Sequence, residues 1–160
     1  MLPSPASPSE VGTRLFSILV LILINAFFVM TEFAIVSVRR SRISQLVDAG
    51  DLQAQTVQEL QIGIDRLLST TQLGITMSSL ALGWIGESTM ANVIRSGIRS
   101  MTFLPETWLE TITRSCSVPI AFLLIAYVQI VLGELCPKSI SLLYAEDIAL
   151  ALAPDRKSVV

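Results

Sequence analysis

The sequence has 160 residues, 52% of them apolar and 15% charged, with a mean hydropathy of +0.67. That is too apolar for an ordinary water-soluble domain, and the expected class is an all-α protein of the lipid bilayer. The formal charge of −2 says little, because orientation depends on where Lys and Arg sit. There is no histidine, which removes the usual general base, the commonest transition-metal ligand and the near-neutral pH switch. No phosphate-binding glycine loop or nucleic-acid signature occurs, so the residues point away from an enzyme and from a nucleic-acid binder. Cys116 and Cys136 lie near opposite ends of one expected helix, roughly 30 Å apart, and cannot pair within it.

Residues 1–13 contain Pro3, Pro5 and Pro8 and no basic residue, and read as a disordered lead-in rather than a secretory signal. The first apolar run, residues 15–38, is interrupted by one charge, Glu32, and is long enough to cross a hydrocarbon core of about 30 Å. Arg39, Arg40 and Arg42 follow, against Arg14 at the other end, which puts the N-terminus outside. For Glu32 the favoured reading is an acid that snorkels or pairs with Arg39 or Arg40.

Residues 41–66 are polar, with Leu46, Leu52, Val57, Leu60 and Ile64 at roughly helical intervals. They read as a cytoplasmic juxtamembrane helix broken at Gly50 and Asp51. Residues 67–86 carry no formal charge and form the second expected span. Ser69, Gln72, Thr76, Ser79, Gly83 and Gly86 share one of its faces. Such a stripe suits close helix packing, the favoured reading for any single residue, and is compatible with the lining of a polar cavity. Residues 87–114 are expected as an outside connection, with a short amphipathic helix over 91–101 and a redirection at Pro105. A third span, residues 115–133, returns the chain to the cytoplasm, and an interfacial helix over 139–153 follows.

The third span closes on Gly133, Glu134, Leu135, Cys136, Pro137 and Lys138. A carboxylate at membrane depth calls for a functional reason. Pro137 has no N–H, so a helix through it leaves the Gly133 carbonyl without its usual partner. Carboxylate and carbonyl oxygens are the ligands of hard cations, and Thr31, Thr76 or Ser79 would add neutral oxygens. The alternative is a helix end where Glu134 and Lys138 pair or reach for water.

Three segments, "NAFFVMTEFAIVSVRRSRI", "LLSTTQLGITMSSLALGWIGE" and "IVLGELCPKSISLLYAEDIALALAP", resemble the membrane domain of the CNNM/CorC magnesium transporters, a family that also carries the hemolysin-like name. The resemblance covers residues 14–154 and leaves 155–160 as an unassigned tail. It implies a homodimeric domain of three membrane helices plus a juxtamembrane helix, in a bacterial plasma membrane. Such a domain binds magnesium as cargo, with cobalt as an alternative, and exports it with sodium as coupling ion. By position, Thr31, Ser79, Gly133 and Glu134 match the family's metal site. Thr31 stands where many members have serine and Ser79 where many have asparagine. Members usually continue into paired CBS domains that bind ATP. None follows here, so a truncated reading is expected and ATP is assigned to no residue of this chain. The competing reading is a non-transporting membrane anchor and dimerisation module. A membrane-damaging role, which the hemolysin name would suggest, finds no support in these residues.

Overall fold

The computed structural model describes residues 8–99 and 106–153. All regular structure among them is helical: α1 (Pro8–Ser37), α2 (Arg40–Asp48), α3 (Leu52–Ile62), α4 (Ile64–Arg99), α5 (Glu106–Val128), a π-helical stretch (Gln129–Leu135), α6 (Cys136–Leu143) and α7 (Ala145–Leu152). The start of α1 at Pro8 falls inside the stretch expected as a lead-in. Proline is tolerated in a first turn, where its missing N–H would have had no helical partner.

Helix α4 packs between α1 and α5. Ile18, Ile22, Leu82 and Ile125 are buried where the three meet. Gly74 and Gly86 allow the close approach: a Cβ at Gly74 would strike the Phe28 ring, and one at Gly86 the Ile125 side chain. Two helical segments among the described residues are long and apolar enough to cross a membrane, Gly12–Ser37 and Ser117–Leu143. Residues 67–86, the second expected span, lie inside α4 but fall short of that apolarity because of their hydroxyl and amide side chains.

The polar stripe on α4 differs in phase from the expected one. Thr71, Ser78, Leu82, Gly86 and Thr89 are buried, whereas Ser69, Gln72 and Thr76 are exposed and a side chain at Gly83 would meet open space. Periodicity finds a face, but two adjacent faces of this helix carry small polar residues, and packing selects one of them. The connection expected over 87–114 is also largely helical, because α4 runs on to Arg99 and α5 begins at Glu106. The expected turn at Pro105 lies outside the described residues.

A second core sits at the C-terminal end of α1, where Ala34, Ile35, Val38, Ile43, Ala54, Val57 and Ala149 are buried together. The break expected at Gly50 and Asp51 is present. Gly50 takes φ +88° after α2, and Asp51 caps α3 by accepting from the backbone N–H groups of Gln53 and Ala54 at 2.8 and 3.1 Å. The last carbonyls of α1 have no partner within their own helix. Gln61, buried on α3, donates to the Ile35 carbonyl in that last turn at 3.1 Å and to the Val38 carbonyl just beyond it at 3.0 Å, and so locks the α2–α3 pair onto the end of α1.

Pro137 does not end the third apolar helix, which continues to Leu143. A proline ring in an α-helix clashes with the carbonyl four residues back, here that of Gly133. The chain avoids this by widening into a π-helical turn, in which the Cys136 N–H reaches the Val131 carbonyl. Ser141 then fastens α6 to α1, its hydroxyl shared between the Met30 carbonyl at 3.1 Å and the Pro137 carbonyl at 2.9 Å.

Candidate functional site

Asn25 is the buried polar centre of the molecule, 1% exposed on the face of α1 turned toward α4 and the π-helical turn. Its amide nitrogen donates to the Gly133 carbonyl at 3.1 Å. Its amide oxygen accepts from the Ser78 hydroxyl at 2.8 Å and, at the limit of hydrogen bonding, from Ser79 at 3.5 Å. The amide orientation follows from these partners, since a carbonyl can only accept. Ser79 in turn accepts from the Gln129 amide nitrogen at 2.6 Å. The carbonyl that Pro137 frees is thus held by a side chain from another helix. A Cβ on Gly133 would come within 3.0 Å of the Asn25 amide nitrogen, so glycine keeps this approach open.

Seven residues further along α1, Glu32 accepts from the Thr71 hydroxyl at 2.6 Å. Because α1 and α4 run antiparallel, the step from Asn25 to Glu32 is matched by the step back from Ser78 to Thr71. Two helical turns carry a side chain to nearly the same face, and the two helices therefore present a pair of stacked polar rungs. Glu32 does not reach out toward Arg39 or Arg40 as expected. It faces inward, because the α4 face that meets it offers a hydroxyl.

Beside the Glu32 rung opens a cavity of about 360 Å³. Glu32, Gln72, Glu134 and Lys138 supply its polar groups, and Val29, Phe33, Ile75 and Leu135 its apolar walls. The Lys138 ammonium lies 4.5 Å from the centre of the Phe33 ring, in cation–π contact. Two carboxylates from different helices thus face one space with a single ammonium. No group of three or more His, Cys, Asp or Glu side chains that could hold a metal occurs among the described residues. A metal held here would therefore need carbonyl, hydroxyl, amide or water oxygens beside the carboxylates, the donor set of a hard cation.

Of the four residues singled out from the sequence, Gly133 and Ser79 meet at Asn25, and Glu134 faces the adjoining cavity. Thr31 joins neither: its hydroxyl donates back to the Phe27 carbonyl at 2.8 Å. Asn25, Ser78, Thr71, Gln129 and Lys138 are additional members. A signal for four of the participants was present in the sequence. Asn25 and Glu32 on one helix, and Thr71 and Ser78 on the next, are polar pairs at the same seven-residue spacing.

A model of the Cyclin M transmembrane N-terminal domain matches residues 16–155. Among curated proteins, the chain is 39% identical to the UPF0053 protein YugS of Bacillus subtilis, over 88% of this chain and 32% of that protein. It is 38% identical to the UPF0053 protein YhdT of the same organism, over 84% of this chain and 28% of the relative. A polyamine export protein of Haemophilus influenzae is 28% identical over 89% of this chain and 32% of its own length. The chain spans about a third of the length of these relatives.

Proposed function

We propose that this chain, which belongs to the CNNM/CorC family of membrane domains, is the cargo-binding part of a cation transporter with magnesium as its cargo. The observation that carries the reading is the cavity that Glu32 and Glu134 both line, next to the turn whose Gly133 carbonyl Asn25 holds. Magnesium is bound through one or two carboxylates and keeps several of its waters, and a space of about 360 Å³ has room for both. In this reading α1, α4 and the α5–α6 helix cross a bacterial plasma membrane with the N-terminus outside. Export and sodium coupling complete the scheme. The chain performs no covalent chemistry.

One observation favours an organic cation instead. The cavity already accommodates an alkylammonium, that of Lys138 over Phe33, and one relative is a polyamine export protein. Calorimetric titration of the detergent-purified chain with magnesium chloride and, separately, with spermidine distinguishes the readings. Magnesium heat without spermidine heat is the expected result. The reverse assigns the cavity to amines, and silence with both leaves the anchor role.

The same reading makes the domain a homodimer. On α4, Ser69, Thr76 and the open side of Gly83 face outward, small residues of the kind that let membrane helices approach closely, and a second copy would pack against them. A Cβ at Gly83 meets no atom of the described residues within 4 Å, so Gly83→Leu should leave the monomer folded while lowering the dimer fraction in size-exclusion chromatography with light scattering.

A further inference from the structure

A second cavity, of about 240 Å³, lies between the α1–α2 corner and the α6–α7 corner. Arg39, Arg42 and Glu146 line it, and so do Leu142 and Leu143. We infer that this groove binds an anionic phospholipid, with the headgroup phosphate between Arg39 and Arg42 and an acyl chain along Leu142 and Leu143.

Position is the first argument. The groove starts at Ser37, where the apolar segment Gly12–Ser37 ends, which is the depth of lipid headgroups for a helix that crosses the bilayer. Charge is the second. Among the described residues the Arg39 side chain makes no hydrogen bond or ion pair, although it lines a cavity. Arg42 uses only its Nε toward Glu146, 3.1 Å from each carboxylate oxygen, which leaves its terminal nitrogens available to a further acceptor. The first turn of α2 adds no acidic residue and no side-chain cap to compete. The third argument is the apolar half of the lining. Leu142 and Leu143 are 55% and 76% exposed, and Val36 on the neighbouring turn of α1 is 52% exposed. A free phosphate would use the arginines and leave that surface without a role. A phospholipid uses both, as basic pockets at the ends of membrane helices do.

The test is retention of lipid by the full chain in neutral detergent, read by native mass spectrometry after addition of phosphatidylglycerol or phosphatidylcholine. Phosphatidylglycerol should be retained over phosphatidylcholine, and Arg39→Gln should lower that retention about fivefold, since an arginine near an anionic surface contributes ~1 kcal/mol. Arg39 holds α2 through its backbone carbonyl, which the substitution keeps, and its side chain makes no hydrogen bond or ion pair among the described residues, so this variant keeps the Arg42–Glu146 pair intact. Glu146→Gln should raise retention by freeing Arg42, and Arg14→Gln at the other end of α1 should leave it unchanged. Equal retention of the two lipids, or indifference to Arg39→Gln, overturns the inference. Displacement of the lipid by inorganic phosphate as readily as by more phosphatidylglycerol also overturns it, by assigning the groove to a free anion. The cavity of Glu134 enters none of these measurements, so the transport reading stands or falls separately.

Discussion

Glu134→Ala should abolish magnesium binding in calorimetry and magnesium flux in vesicles reconstituted with the full-length transporter. Among the described residues, Glu134 is one of two carboxylates lining the cavity, and Lys138 adds the one opposing charge. At an effective dielectric constant of about 20, two unit charges ~4 Å apart interact by ~4 kcal/mol, so losing one carboxylate beside a divalent ion weakens binding by roughly a thousandfold. The fold should survive, because Glu134 makes no hydrogen bond or ion pair among the described residues and is only half-buried. Unchanged binding by a folded variant would remove Glu134 from the site. Binding lost without loss of thermal stability separates a ligand from a structural residue.

The same cavity shows how far the sequence reaches. Glu134 and Pro137 stand out in a one-dimensional reading because each is costly at membrane depth, and both lie at the site. Glu32 is equally visible, yet its role depends on what α4 presents to it. Three arginines follow Glu32 within ten residues, and local pairing looks cheaper than a hydrogen bond to a residue far along the chain. The outcome rests on α1 and α4 meeting in one register, which spacing does not reveal. The α4 stripe misleads for a related reason, since its exposed and buried faces are both rich in small polar residues. The α2–α3 break, by contrast, is local. It needs a positive φ at Gly50 and a capping carboxylate at Asp51, and both are legible directly. Widening of the helix at Pro137 lies between these cases. Proline announces a disturbed hydrogen-bond ladder, but that the freed Gly133 carbonyl is tethered by Asn25 depends on how α1 packs against the turn.

That tether is the basis of the second large effect. Asn25→Leu should weaken magnesium binding by about 10- to 100-fold, the range typical when a group that orients a ligand is removed, although Asn25 does not line the cavity itself. Leucine has a similar shape but cannot donate, so the buried Gly133 carbonyl loses its partner at a cost of about 1–3 kcal/mol, and the π-helical turn carrying Glu134 loses its attachment to α1. Ser78→Ala isolates the other half of the network. Ser78 also donates to the carbonyls of Gly74 and Ile75 within α4, at 2.8 and 3.0 Å, and its removal leaves the Asn25–Gly133 bond in place. Its effect on binding should therefore stay within a few-fold. If Ser78→Ala and Asn25→Leu weaken magnesium equally, the Gly133 tether is not what positions Glu134, and the coupling runs through α4. If only Asn25→Leu does, the carbonyl freed by Pro137 and held by Asn25 sets the geometry of the cavity's acidic wall.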